Sequence, residues 1–130
     1  MHVFVNRVDE EGRRVAFRCT AGHGNAVALW RGDPLPPQGT DAFVELTVPA
    51  PVTEWAPASP TAAQDMAIGP AGVVVTGEVL GVGGPGDPVV ELRVGTDVVL
   101  VEVACGGDGL EPGRRISFVS PLLEAYPYEL

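Results

Sequence analysis

The chain has 130 residues, is 45% hydrophobic and carries a formal net charge of −9. That hydrophobic share is enough to bury a core, which excludes global disorder, and no apolar run approaches the ~20 residues of a membrane span. The excess of carboxylates repels phosphate backbones and argues against general nucleic-acid binding.

Lysine is absent, and all eight basic residues are Arg. With so much Ala, Gly, Pro and Val, this reads as the bias of a GC-rich, bacterial genome. The opening stretch, Met1-His-Val-Phe-Val-Asn-Arg7, has no basic region followed by a long apolar one, so a cytoplasmic location is expected. Two cysteines, Cys19 and Cys105, are too few for a disulfide framework and are expected as reduced, partly buried thiols.

In chain order, strands are expected over residues 3–8, 14–20, 26–30 and 42–48. Each alternates apolar and polar residues with β-branched or aromatic members, the pattern of a half-buried strand. Polar turns separate them at 9–12 and 21–25. The loop 31–39, Arg-Gly-Asp-Pro-Leu-Pro-Pro-Gln-Gly, cannot be regular structure because its prolines lack donors and fix φ.

Residues 49–72 differ in kind, with prolines at 49, 51, 57, 60 and 70. They are expected as a connector. Ser59-Pro60 fits the start of one short helical turn through Gln64, and Trp55 is expected as an anchor packed on a barrel.

Beyond the connector the plan repeats. A strand is expected over 73–82, a turn over 83–88, and then a hairpin. The hairpin is the clearest stretch in the chain. Val90, Leu92 and Val94 share one face, Gly95-Thr96-Asp97 turns, and Val99, Val101 and Val103 return. A strand over 114–119 and a closing one over 122–128 follow. The halves match at a near-constant spacing. Arg18 and Arg93, Phe17 and Leu92, Pro37 and Pro112, and Phe43 and Phe118 are each 75 apart, and Val5 and Val79 are 74 apart. The third strand fits with a small slip. The expected core is Phe17, Leu29, Phe43, Val90, Leu92, Val101 and Phe118.

The expected fold is therefore all-β. Two similar small OB-like or SH3-like antiparallel barrels or half-barrels, from an internal duplication, occupy residues 1–48 and 73–130. The connector 49–72 joins them. Gly77-Glu-Val79 and Leu110-Glu-Pro-Gly113 also resemble pieces of TOBE modules, the small barrels of molybdate-binding and transporter proteins. That resemblance implies a ligand-binding module for a small anion or single-stranded nucleic acid.

Catalytic and cofactor signals are weak. Gly81-Val-Gly83-Gly-Pro-Gly86 fits the dinucleotide spacing, but Pro85, Pro88 and a strand follow where that motif needs a helix. Arg31-Gly32-Asp33 is an ordinary turn sequence. His2 and His23 are the only histidines; His23 with Cys19 could approach locally, but no second cluster completes the three or four ligands of a zinc site. Cys19 shares a face with Val15 and Phe17, which marks a core thiol rather than a nucleophile. Acid pairs such as Asp108 and Glu111 are expected by chance in so acidic a chain. No enzyme activity, cofactor or metal is expected.

The expected function is that of an acidic protein-recognition module for a partner with a basic surface. An immunity or inhibitor protein covering a toxin is one version. Its recognition residues are expected in the loops of the first half: His23, Arg31, Asp33 and Asp41. The ligand-binding alternative needs Arg18, Arg93, Arg114 and Arg115 to converge on one groove.

Overall fold

The computed structural model describes residues 1–83, 88–104 and 109–129. Cys105, Asp108 and the middle of the expected 83–88 turn lie outside them. The first half supplies β1 (His2–Asp9), β2 (Arg14–Cys19), β3 (Asn25–Trp30) and β4 (Asp41–Thr47). Next come β5 (Ala56–Pro57), β6 (Asp65–Gly69), β7 (Gly72–Val82), β8 (Val89–Val94) and β9 (Asp97–Glu102). The chain ends with β10 (Arg115–Ser120) and β11 (Glu124–Pro127).

These strands form two sheets. One is a closed barrel in the order β1-β2-β3-β11-β4. The other runs β5-β10-β7-β8-β9, with β6 alongside β7. The all-β class follows from the alternation. Every second residue of β2 (Val15, Phe17, Cys19) and of β8 (Val90, Leu92, Val94) is buried. Removing a side chain such as Phe17 or Leu92 from water contributes roughly 1.5–3 kcal/mol.

Five of the seven expected core residues are buried. Leu29 and Phe43 are only half-buried. Each sits next to an inward residue, Leu29 between Ala28 and Trp30 and Phe43 beside Val44. In a strand, adjacent residues face opposite sides.

The two units share a strand order, with the fourth strand beside the first: β4-β1-β2-β3 and β10-β7-β8-β9. Both leading strands shift register at one residue, Asn6 and Leu80, which are 74 apart. Val5 bonds Thr40 and Gly39, and Val79 bonds Arg114 and Gly113 in the same way. The fourth strands therefore correspond at 74, not at the expected 75. Phe43 corresponds to Ser117, and Val44 to Phe118. One residue of slip flips every side chain to the other face, which is why Phe43 faces outward while Phe118 is buried.

The closing strand does not stay with the second unit, as the repeat suggested. β11 enters the first barrel, parallel to β3 at Leu29 and Trp30 and antiparallel to β4. In the mirror arrangement, the segment after β4 serves the second sheet. Val52 bridges Val103 in parallel, and β5 pairs antiparallel with β10. Each unit takes its closing segment from the other. The expected connector is thus partly strand. β6 pairs with Val73–Thr76 of β7, and only a turn at Ser59–Ala62 stands where a helical turn was expected.

β7 serves all of this by changing partners along one edge, from β6 to β8. Gly77 lies at the change. A Cβ there would sit 2.6 Å from the Arg93 carbonyl oxygen and 2.7 Å from Leu92 Cγ, so only glycine fits.

Candidate protein-recognition surface

The charged groups are unequally engaged. The Arg31 guanidinium pairs with the buried Glu124, and Arg93 Nη2 lies 3.0 Å from Glu78 Oε2. Arg13, Arg114 and Arg115 donate to the carbonyls of Gly32, Gly109 and Ala62. Arg18 stacks on Phe4, 4.6 Å from the ring centroid, and Arg114 also lies over Trp55. Six of the eight arginines are thus engaged within the chain. Most carboxylates are not. Glu10, Glu11, Asp33, Glu45, Glu91 and Glu102 are exposed, and none forms an ion pair among the described residues.

The four expected recognition residues do not form one patch. His23, in the turn before β3, lies at one end of the barrel. Arg31 and Asp33 follow β3 at the other end, roughly 17 Å away at strand rise. Asp33 is exposed. Asp41 opens β4, with Oδ2 3.6 Å from His2 Nε2. Arg31 acts as a clamp instead. Besides pairing with Glu124, its backbone N–H donates to the Ala125 carbonyl at 2.9 Å, pinning β11.

His23 is equally committed. Thr96 N–H donates to its Nε2 at 3.2 Å, and the ring covers Gly95. Its carbonyl accepts the Met66 N–H at 2.8 Å, and Gln64 Oε1 accepts the Gly95 N–H at 3.0 Å. The turn 21–25 is thus a seam between the barrel and the second sheet.

The four groove arginines divide. Arg18 lies on β2 of the barrel. Arg93 and Arg115 stand in one row of the second sheet, both cross-strand from Glu78. Arg114 belongs to the loop before β10, against Trp55.

Several concavities adjoin the second sheet, among them one of about 300 Å³ beside Ile68, Val73 and Pro121. A cleft of about 580 Å³ lies between the proline-rich strap, residues 48–56, and the end of β10. Its walls include Pro49, Pro51, Trp55, Phe118 and Pro121. A slot of about 210 Å³ lies between Val44–Leu46 of β4 and Asp97–Val99 of β9.

Cys19 lies inside the barrel, its Sγ 3.6 Å from Met1 Sδ. Burial, with Asp97 adding to it, pushes the thiol up to about 11. A thiol so held is protonated and unreactive at neutral pH. Nothing pairs it with His23, whose ring is on Gly95 and Thr96.

Sequence reasoning missed the seam. The glycines at 24 and 95 were its one signal. A Cβ on Gly24 would sit 1.9 Å from the Met66 carbonyl oxygen, so this glycine marks a backbone contact rather than a flexible turn.

Among the described residues no helix is long and apolar enough to cross a membrane, and no group of three His, Cys, Asp or Glu side chains is placed to hold a metal ion. No family, no curated protein and no solved structure matches the chain.

Proposed function

We propose that this chain is a non-enzymatic, acidic protein-recognition module that binds a partner through that partner's basic surface. An immunity- or inhibitor-type protein of a bacterial cytoplasm is the version that charge and size favour. The observation that carries the reading is the imbalance of engagement. An arginine bonded to a carbonyl keeps its charge, but carboxylates outnumber arginines 17 to 8 and many stand exposed without an ion pair among the described residues, so the field outside the chain is negative. Such a field attracts and orients a cationic partner and speeds encounter.

A second reading is an OB- or TOBE-like module for a small anion or single-stranded nucleic acid. The closed barrel with its parallel closing strand favours it, as does the Arg93–Glu78–Arg115 row. Against it, both of those arginines already bond within the chain, and Arg18 lies on the other sheet.

The test is association with a basic protein, first the product of the neighbouring gene, followed at low and high salt beside single-stranded DNA. Binding to the basic protein should weaken as salt rises, because ions screen exposed charges beyond ~10 Å at 0.1 M. Charge reversal at Asp33 and Asp41 to Arg should slow the on-rate. Tight binding to single-stranded DNA at physiological salt, unchanged by those substitutions, would replace this reading with the second.

A further inference from the structure

β9 is an edge strand. It pairs with β8 on one side, from Val89↔Glu102 to Val94↔Asp97. Which groups point which way follows from its neighbours. Val103 N–H donates to the Pro88 carbonyl, so Val99 and Val101 also point their backbone groups toward β8. Val98, Leu100 and Glu102 point theirs the other way. The one strap residue that meets this edge confirms the register. Val52 N–H donates to the Glu102 carbonyl, and Ala104 N–H donates to the Val52 carbonyl. Among the described residues, the N–H and C=O groups of Val98 and Leu100 have no partner.

The first unit does not leave this edge open. β3 is met at one end by Met66 of β6, beside Gly24, and at the other by β11. The side chains on the open edge are also unusual. Val98 is 55% exposed and Leu100 is 60% exposed. An unblocked apolar edge is normally guarded by lysine, proline or a bulge, because it templates aggregation. β9 has none of these between Asp97 and Glu102. What surrounds it is negative charge. Glu91 lies cross-strand from Leu100, Glu102 ends the strand, and Glu45 lines the slot beside Val98. None of the three has a cationic partner among the described residues.

We propose that β9 is a docking edge, to which an extended segment of the basic partner adds as a further strand. The proposal rests on the acidic-recognition reading and gives it a location and a mode. Main-chain bonds to Val98 and Leu100 supply affinity, as in other strand-addition complexes. The partner's alternate side chains meet Val98 and Leu100, and its basic residues meet Glu45, Glu91 and Glu102. A second copy of this chain is a poor occupant, since it brings the same −9 charge to the same edge.

The probe is a short capped peptide of alternating arginine and valine, compared with one N-methylated at every amide. The methylated peptide keeps its charge but has no N–H on either edge to pair with β9. Titration gives the affinity, and amide exchange reads Val98 and Leu100. The plain peptide should bind and protect those two amides, and the methylated one should not. Leu100→Pro removes an outward N–H without touching the β8 ladder, so it should weaken binding about tenfold or more while the fold survives. If that variant does not fold, Leu100→Lys serves, through repulsion of the cationic strand.

Equal, salt-sensitive binding of both peptides, with no protection at Val98 and Leu100, overturns the docking edge and leaves acidic recognition standing. Binding of neither peptide, together with no binding of a basic protein, removes both. A dimer of the chain abolished by Leu100→Pro also overturns the proposal, because the edge then serves a second copy.

Discussion

The imidazole of His23 lies flat against Gly95, so close that a Cβ on that glycine would fall 2.1 Å from the ring. The two residues belong to different units, and the contact is possible only because Gly95 has no side chain and a φ of 66°. Gly95→Ala should destabilise the protein by roughly 2–4 kcal/mol, from backbone strain and the clash together. In a His23→Ala background the clash is gone and only the strain remains, about 1–2 kcal/mol. Denaturant melts of the four proteins in this cycle should show coupling of about 1 kcal/mol or more. Additive costs would mean that His23 does not pack there.

The one-residue slip of the fourth strand separates two phenylalanines that the sequence had paired. Phe118 is buried in the second sheet, whereas Phe43 stacks outside the barrel on His2, ring centroids 4.6 Å apart. Phe118→Ala should cost roughly 3–5 kcal/mol, near the whole stability of a small domain. Phe43→Ala should cost about 1 kcal/mol, the scale of an exposed aromatic pair. Equal losses in melting temperature would contradict the slip.

Arg31 should matter to folding before it matters to any partner. Its replacement by Ala leaves Glu124 buried without its cation, a loss of roughly 1–3 kcal/mol. Amide exchange should quicken first in β11 and the adjoining end of β3, while β7 to β9 keep their protection. Glu124→Gln in the same chain should recover part of the loss. An Arg31→Ala protein with unchanged exchange in β11 would show that the clamp is idle.

The Cys19 thiol is pushed up to about 11 from its ordinary value of 9.0, so the native state holds that proton more tightly than the unfolded chain does. Its contribution to stability is complete below pH 9 and disappears as pH rises through 11. The wild-type protein should therefore lose more stability between those values than Cys19→Ala. At pH 8, iodoacetamide should alkylate Cys19 only at the rate of global unfolding. Rapid labelling of Cys19 in a folded Cys105→Ser protein would refute the burial.

The sequence by itself determined the all-β class, nine of the eleven described strands and which face of most of them is buried, whereas β5 and β6 fall in the stretch expected as a connector. Those properties are local. Alternation in stretches such as Val15 to Cys19 or Val90 to Val94 needs no partner to be read, because successive side chains must point to opposite faces. The tertiary structure alone decided which strands close which sheet. β11 and the strap at Val52 each serve the unit they do not follow in sequence. Nothing local marks that exchange, since the pairing groups are backbone N–H and C=O, which every residue but proline carries alike. The same holds for function. The acidic excess is legible as composition, but not that the arginines would be used inside the chain. Nor could the sequence say that the most regular hairpin would leave Val98 and Leu100 on an open edge. An edge exists only by what fails to pair with it, and that is settled when the whole chain has folded.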